Sequence, residues 1–256
     1  MFEPDTTLAV AGERPPEDLV QRHGRPGDIY SADINVWLWT VAVDLLRTRP
    51  DLGLIYVHTT DYPMHRWAPE ARESRDHLAR LDALIGEACA VAPDAALYVT
   101  ADHGMNAKTR SWDLARVCAE AGVPLRFCLS PERDYYVRHH RNFTGCAFLW
   151  LRDPDDAGRV TDLVAGLDGI EAVLPAAEVA ARFHTRHERL GDLVAFADRY
   201  TMIGDMDEAF EELHDYRAHG SLHEMAIPLI IHDPEGRARE PEAYRSNKDL
   251  LRGVFD

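Results

Sequence analysis

The chain has 256 residues, of which 44 are acidic and 28 are basic, so its formal net charge is −16. This length allows one large domain or two small ones, and the ordinary share of apolar residues excludes wholesale disorder. The negative charge argues against nucleic acid and anionic membrane surfaces as partners, because both attract clusters of Lys and Arg. An anionic substrate would therefore need a local positive group, such as a metal ion.

The sequence carries no targeting or membrane signal. No segment approaches the roughly 18 consecutive apolar residues of a membrane helix, and residues 1–5 lack the basic and apolar regions of a signal peptide. The four cysteines are far apart, which is typical of reduced thiols rather than of a disulfide scaffold. We therefore expect a cytoplasmic protein without a membrane partner. These cysteines are Cys89, Cys118, Cys128 and Cys146.

Apolar spacing predicts helices and strands in alternation along the chain. After an irregular lead-in over residues 1–28, the predicted helices are 33–48, 70–92, 112–121, 154–166 and 176–183. The predicted strands are 52–58, 95–100, 125–129, 145–151, 170–173, 193–197 and 226–231.

This alternation predicts an α/β fold with a mostly parallel sheet flanked by helices. The short strands of residues 125–184 favour a small α+β cap, which is able to pair its strands antiparallel. Residues 29–124 and 185–256 then form the α/β core. In such a core, function lies in the loops beyond the carboxyl ends of the strands.

The first such loop joins a carboxylate to an imidazole. Asp61 follows the predicted strand 52–58 and precedes His65 by four residues. Pro63 fits the first turn of a short helix, so the two side chains would lie about one turn apart and converge on one point. Taken alone, the pattern also fits an Asp helix cap followed by a surface His.

Two further loops carry the same kinds of side chain. Asp102 and His103 stand before Gly104 at the end of a predicted strand, and His219 precedes Gly220 ahead of the strand 226–231. Each pattern alone fits an ordinary turn. Three such loops in a chain with 13 histidines predict a centre for zinc or manganese, which bind imidazole and carboxylate groups.

The motifs resemble those of the alkaline phosphatase superfamily of two-metal hydrolases, and most closely those of the phosphonoacetate hydrolases. Weaker similarity runs from about residue 29 to the end of the chain. The resemblance is carried by residues 59–62 with His65 and Pro69, 100–108, 191–194, 219–224 and 228–230.

The resemblance implies a two-zinc centre. It assigns one zinc to Asp61, His65 and His219, and Asp102 and His103 to a second. It further implies an upstream Asp ligand and a Thr nucleophile, activated by metal, that attacks phosphorus.

Only 60 residues precede Asp61, and they offer no counterpart for these upstream groups. The chain is therefore expected to match the C-terminal half of such an enzyme, with the nucleophile missing. That expectation adds a homodimer or a separately encoded N-terminal half as possible partners.

Three functions follow as hypotheses. The first is hydrolysis of the C–P bond of a small anionic phosphonate such as phosphonoacetate. The second is hydrolysis of phosphodiesters or nucleotides by the same superfamily chemistry, and the third is an inactive fragment that binds metal.

Other polar residues near the motifs have open roles. His140 and Arg217 are candidates for contact with the substrate, although each also fits an ordinary structural or surface position. His223 and Glu224 fit either hydrogen bonds to the metal ligands or a solvent-facing loop. Ser221 fits a turn and needs no catalytic role.

Overall fold

The structure, a computed structural model, describes residues 15–131 and 141–250. These residues divide into a first unit, made of those up to Asp102 and those from Pro228 onward, and a second unit, His103–Ile227. Both units combine helices with β-strands, so the predicted α/β class is confirmed. No helix within the described ranges is long and apolar enough to cross a membrane.

Most of the regular secondary structure of the first unit is helical. The amphipathic helix α2 buries Ile34, Trp37, Val41 and Leu45 at spacings of three and four residues, which places them on one face. Leu19 from α1 completes this cluster. The helices are α1 (Glu17–His23), α2 (Asp33–Thr48), α3 (Tyr62–Arg66), α4 (Arg72–Val91) and a short 3-10 helix, Pro241–Ala243.

Helix α1 corrects part of the irregular lead-in predicted for residues 1–28. Acidic residues stand in its first turn and basic residues in its last, an arrangement that the helix dipole favours. The burial of Leu19 against α2 stabilises this short helix, and such tertiary packing is not visible in local spacing.

The first unit contains one antiparallel pair of strands, β1 (Leu97–Thr100) and β9 (Leu229–His232). The sequence predicts both, although the predicted strand 95–100 begins two residues before β1, and the predicted strand 226–231 begins three residues before β9 and ends one residue early. The prediction of a strand over residues 52–58 was wrong, because this segment pairs with no strand among the described residues. Leu52 and Ile55 pack on the helical core, while Tyr56 is 83% exposed.

A four-stranded antiparallel sheet organises the second unit, with the strand order β3-β4-β6-β5. Its strands are β3 (Leu125–Leu129), β4 (Cys146–Leu151), β5 (Ile170–Pro175) and β6 (Leu193–Ala197). The helices that accompany it are α5 (Leu114–Glu120), α6 (Ala157–Ala165), α7 (Ala176–Phe183) and the 3-10 helices Pro154–Asp156 and His187–Arg189.

Strand β6 is buried on both faces, which explains its continuous apolar sequence. Leu193 and Ala195 point into the cluster formed with α5 and α6. Val194 and Phe196 point into the opposite cluster formed with α7. The sheet is therefore covered by helices on two sides.

A second sheet, with the order β7-β2-β8, was not predicted. Its strands are β2 (Asn106–Trp112), β7 (Thr201–Ile203) and β8 (Phe210–Ala218), and the 3-10 helix Leu222–Glu224 follows β8. Strands β2 and β8 are rich in polar and charged residues, so their sequences lack the apolar pattern used to recognise strands.

The strand directions correct the expectation of a mostly parallel sheet. Only β2 and β7 pair in parallel, and all other pairings of the described strands are antiparallel. The parallel expectation failed because strands that follow one another along the chain, such as β3 and β4, are also neighbours in the sheet and pair antiparallel. The predicted boundaries of core and cap stay a prediction, although β6, assigned to the core, pairs with the cap strands β4 and β5.

Candidate metal centre

Asp61 and His65 are brought together at the start of helix α3. Pro63 occupies the first turn, as predicted, and Asp61 stands at the N-cap position without its side chain capping the helix. Instead, its Oδ2 atom lies 3.0 Å from Nε2 of His65, whose side chain is 2% exposed. Two ligand atoms of one tetrahedral zinc are about 3.3 Å apart, from zinc–ligand bonds of about 2.0 Å, so this pair fits a shared ion.

The loop that carries Asp61 is fixed by a buried amide from helix α2. Asn35, which is fully buried, donates from Nδ2 to the carbonyl of Thr60 at 2.8 Å. Its Oδ1 accepts a hydrogen bond from the Thr60 N–H, also at 2.8 Å. The buried His77 lies behind it, with Nε2 3.4 Å from Nδ2 of Asn35, and burial lowers the pKa of this histidine. Asn35 thus holds the backbone directly before a candidate ligand.

His103 and His219 meet in the second unit. Their rings are stacked, with centroids 3.6 Å apart and planes inclined by 15°. Nδ1 of His103 lies 3.0 Å from the Gly104 carbonyl, which orients its ring. The chain therefore places two imidazoles side by side, as expected if each belongs to one of two neighbouring ions. Asp102 is exposed at the end of the first unit.

Two glycines shape the turn after His219. Gly220 has a φ of +102°, a conformation that side-chain-bearing residues rarely adopt. Gly145 lies against the next residue, since a Cβ atom there would come within 2.3 Å of the Ser221 nitrogen. Gly145 also donates its N–H to the His219 carbonyl at 3.1 Å. The turn therefore packs tightly against the start of β4.

A buried polar network lies behind the same turn. The carboxylate of Glu224 contacts Nζ of Lys108 at 3.0 Å and accepts from Nδ2 of Asn106 at 2.5 Å. It also accepts from the N–H and the hydroxyl of Ser221, at 2.8 and 2.7 Å. Burial raises the pKa of Glu224, but these donors outweigh burial and the net pKa is lowered. For Lys108, burial lowers the pKa, and this effect exceeds the opposite effect of the nearby Glu224 carboxylate.

The remaining candidates have different surroundings. Arg217 lies on strand β8 opposite Ala107 and is partly buried. His223 is exposed, and its Nε2 atom lies 2.9 Å from Oε1 of Glu171, so its ring contacts the Glu171 carboxylate. His140 lies outside the described residues.

Sequence reasoning missed Asn35 and Lys108 and left Glu224 open. Asn35 is a polar residue on the otherwise apolar face of α2, and this signal could have identified it. Lys108 and Glu224 are each only 2% exposed. Their burial is not evident from the sequence, because charged residues are usually exposed.

Solved structures of phosphonoacetate hydrolase are similar to this chain. The enzyme from Sinorhizobium meliloti 1021, in complex with phosphonoacetate, is 26% identical, with a TM-score of 0.80 over 92% of this chain and 59% of that one. Its complex with phosphonoformate gives 25% identity and a TM-score of 0.79 over the same shares. The chain thus spans 59% of the length of these enzymes.

A more distant structure shares the fold. Murine ectonucleotide pyrophosphatase/phosphodiesterase 5 is 19% identical, with a TM-score of 0.54 over 77% of this chain and 52% of that one. The family model described as type I phosphodiesterase/nucleotide pyrophosphatase matches residues 18–222, which is most of the chain. The chain belongs to the type I phosphodiesterase/nucleotide pyrophosphatase family, within the alkaline phosphatase superfamily.

Proposed function

We propose that this chain is a metal-dependent hydrolase that cleaves the C–P bond of a small phosphonate of the phosphonoacetate class. The observation that carries the proposal is the similarity to phosphonoacetate hydrolase over 92% of the chain. The paired side chains of Asp61 and His65 support it, because their separation fits a shared ion.

In this proposal, Asp61, His65 and His219 hold one ion, while Asp102 and His103 contribute to a second. The mixed imidazole and carboxylate donors suit zinc, with manganese as the alternative. When bound, such ions stabilise negative charge on phosphoryl oxygens and lower the pKa of bound water.

The residues of the chain itself supply orientation and charge. Asn35 fixes the backbone before Asp61. The rings of His103 and His219 are stacked, so their nitrogen atoms lie close together. Arg217 offers a guanidinium to an anionic substrate, which matters because the net charge of −16 repels anions. His140 is proposed as a second substrate contact.

Phosphodiester or nucleotide hydrolysis is the second candidate. The observation in its favour is the family model, whose description names phosphodiesterases and pyrophosphatases. In both candidate functions the same residues of this chain would hold the metal, so a comparison of substrates separates them.

The test begins with metal content and then compares substrates. Purified chain is dialysed with zinc, and the bound metal per chain is measured by elemental analysis. Release of phosphate and acetate from phosphonoacetate is compared with release of nitrophenol from bis(4-nitrophenyl) phosphate. We expect at least one tightly bound zinc and faster turnover of the phosphonate.

Asp61→Ala is the decisive variant, and Asp76→Ala is its matched control. Asp76 is an exposed aspartate of the first unit that pairs only with Arg72 among the ion pairs of the described residues. Asp61→Ala should lose the zinc and the turnover, and the control should keep both. Less than one tight zinc per chain contradicts both enzyme functions. Zinc binding without turnover favours the inactive metal-binding fragment, and turnover that survives Asp61→Ala refutes the site.

A further inference from the structure

We propose that Glu224 is a positioning residue that holds His103 and His219 in their paired arrangement. This inference rests on the proposed function, in which both histidines bind metal. Glu224 acts through the two backbone segments that carry the two rings.

The carboxylate of Glu224 secures the segment after His219. Its Oε2 atom accepts two hydrogen bonds from Ser221, one from the N–H at 2.8 Å and one from the hydroxyl at 2.7 Å. Ser221 follows the turn at Gly220, so these bonds fix where the chain goes on leaving the histidine. Gly145 closes the other side of the turn, where a Cβ atom would come within 2.3 Å of the Ser221 nitrogen.

The main chain of Glu224 secures the segment after His103. Gly104 donates its N–H to the Glu224 carbonyl at 2.7 Å. The carbonyl of Gly104 in turn lies 3.0 Å from Nδ1 of His103. One residue therefore connects the two segments whose histidines stack at 3.6 Å.

The surroundings of Glu224 fix its side chain in turn. Lys108, with a fully buried side chain, contacts Oε1, as does the amide of Asn106. Asn106 is itself held by Arg199, whose Nη2 donates to its Oδ1 at 3.2 Å. A buried ion pair of this kind is seldom more stable than apolar side chains of equal volume. Here the pair is part of a set of four donors around the Glu224 carboxylate: Lys108, Asn106, and the N–H and hydroxyl of Ser221. This set fixes the carboxylate beside the turn that follows His219.

Three variants separate positioning from simple stability. Glu224→Gln keeps the shape but turns an NH2 group toward donors. Lys108→Met combined with Glu224→Met replaces the ion pair by apolar side chains, which restores stability relative to Lys108→Met alone. Asp113→Asn is the matched control, because Asp113 is a buried carboxylate of the same unit that accepts hydrogen bonds from the N–H groups of Arg116 and Met206 and from neither histidine segment in the described contacts.

The readouts are zinc affinity, measured by competition with a chromophoric chelator, and hydrogen exchange of the Ser221 amide. Glu224→Gln should weaken zinc binding about 10- to 100-fold and speed the exchange. The double variant should unfold near the wild-type urea concentration yet still bind zinc as weakly as Glu224→Gln. Asp113→Asn should lower stability and leave the zinc affinity unchanged.

The outcomes distinguish this inference from the function on which it rests. If the unchanged chain binds no zinc, the proposed function fails, and unchanged Ser221 exchange in Glu224→Gln would then overturn the positioning role as well. If the unchanged chain binds zinc and Glu224→Gln binds it within twofold, only the positioning role is overturned. Recovery of zinc affinity together with stability in the double variant also overturns the positioning role alone.

Discussion

Replacing Asn35 by Ala tests whether a buried amide holds the loop of the first candidate ligand. The substitution removes both hydrogen bonds to Thr60, each 2.8 Å long in the native chain. It leaves helix α2 intact, since Ala is the best helix former. The N–H and the carbonyl of Thr60 then lose their partners together.

The expected cost follows from these two groups. Leaving a buried polar group without a partner costs about 1–3 kcal/mol. Thr60 is only partly buried, so water can reach part of the site and the lower half of that range applies to each group. We therefore expect Asn35→Ala to lower the free energy of unfolding by about 2–4 kcal/mol.

The assay is urea unfolding followed by tryptophan fluorescence, with hydrogen exchange of the Thr60 amide as a local readout. Thr40→Ala is the control on the same helix, because the Thr40 hydroxyl bonds only the Val36 carbonyl within α2 in the described contacts. It should change the unfolding free energy by less than about 0.5 kcal/mol. If Asn35→Ala falls within the same range and leaves Thr60 exchange slow, the amide does not hold this loop.

Two further predictions concern titration. Because its donors lower the pKa of Glu224, the charged form is favoured by folding. The stability it contributes is present above the unfolded pKa of about 4.3 and is lost as the pH falls below it, so urea unfolding between pH 7 and pH 3 should be less pH-dependent in Glu224→Gln than in the wild type. Burial raises the pKa of Cys118 and Cys146 to about 11, so iodoacetamide at pH 8 should label Cys89 well before either, and equal labelling of the native chain would refute this.

Local patterns were sufficient where an element buries one clear face. Helices α2 and α7 and strand β3 begin and end at the predicted residues. The Asp61–His65 pair was also accessible, since a spacing of four residues beside a proline specifies one helical turn.

Non-local pairing was beyond the reach of the sequence. Strand β2 contains the buried Lys108, and most polar side chains of β8 are exposed or partly exposed, so neither strand shows the apolar alternation by which strands are recognised. The segment 52–58 shows the opposite error, because an apolar extended sequence forms a strand only where a neighbour accepts its backbone hydrogen bonds. His103 lies just before β2 and His219 just after β8, so the stacking of the two rings depends on the pairing of these two strands, which was not predicted.

The identities of Asn35 and Glu224 follow from the backbone groups they face. Thr60 presents one donor and one acceptor, and an amide side chain offers the complementary acceptor and donor on two separate atoms. Ser221 presents two donors, its N–H and its hydroxyl, and a carboxylate accepts both with a single oxygen. Asn35→Asp and Glu224→Gln preserve the shape of the side chain but disturb this complementarity. The first places a carboxylate oxygen against the Thr60 carbonyl, and the second places an NH2 group against donors. The identities of the polar residues behind the candidate ligands therefore depend on the hydrogen-bonding groups of the loops that carry the ligands. A motif made of ligands alone does not contain this information.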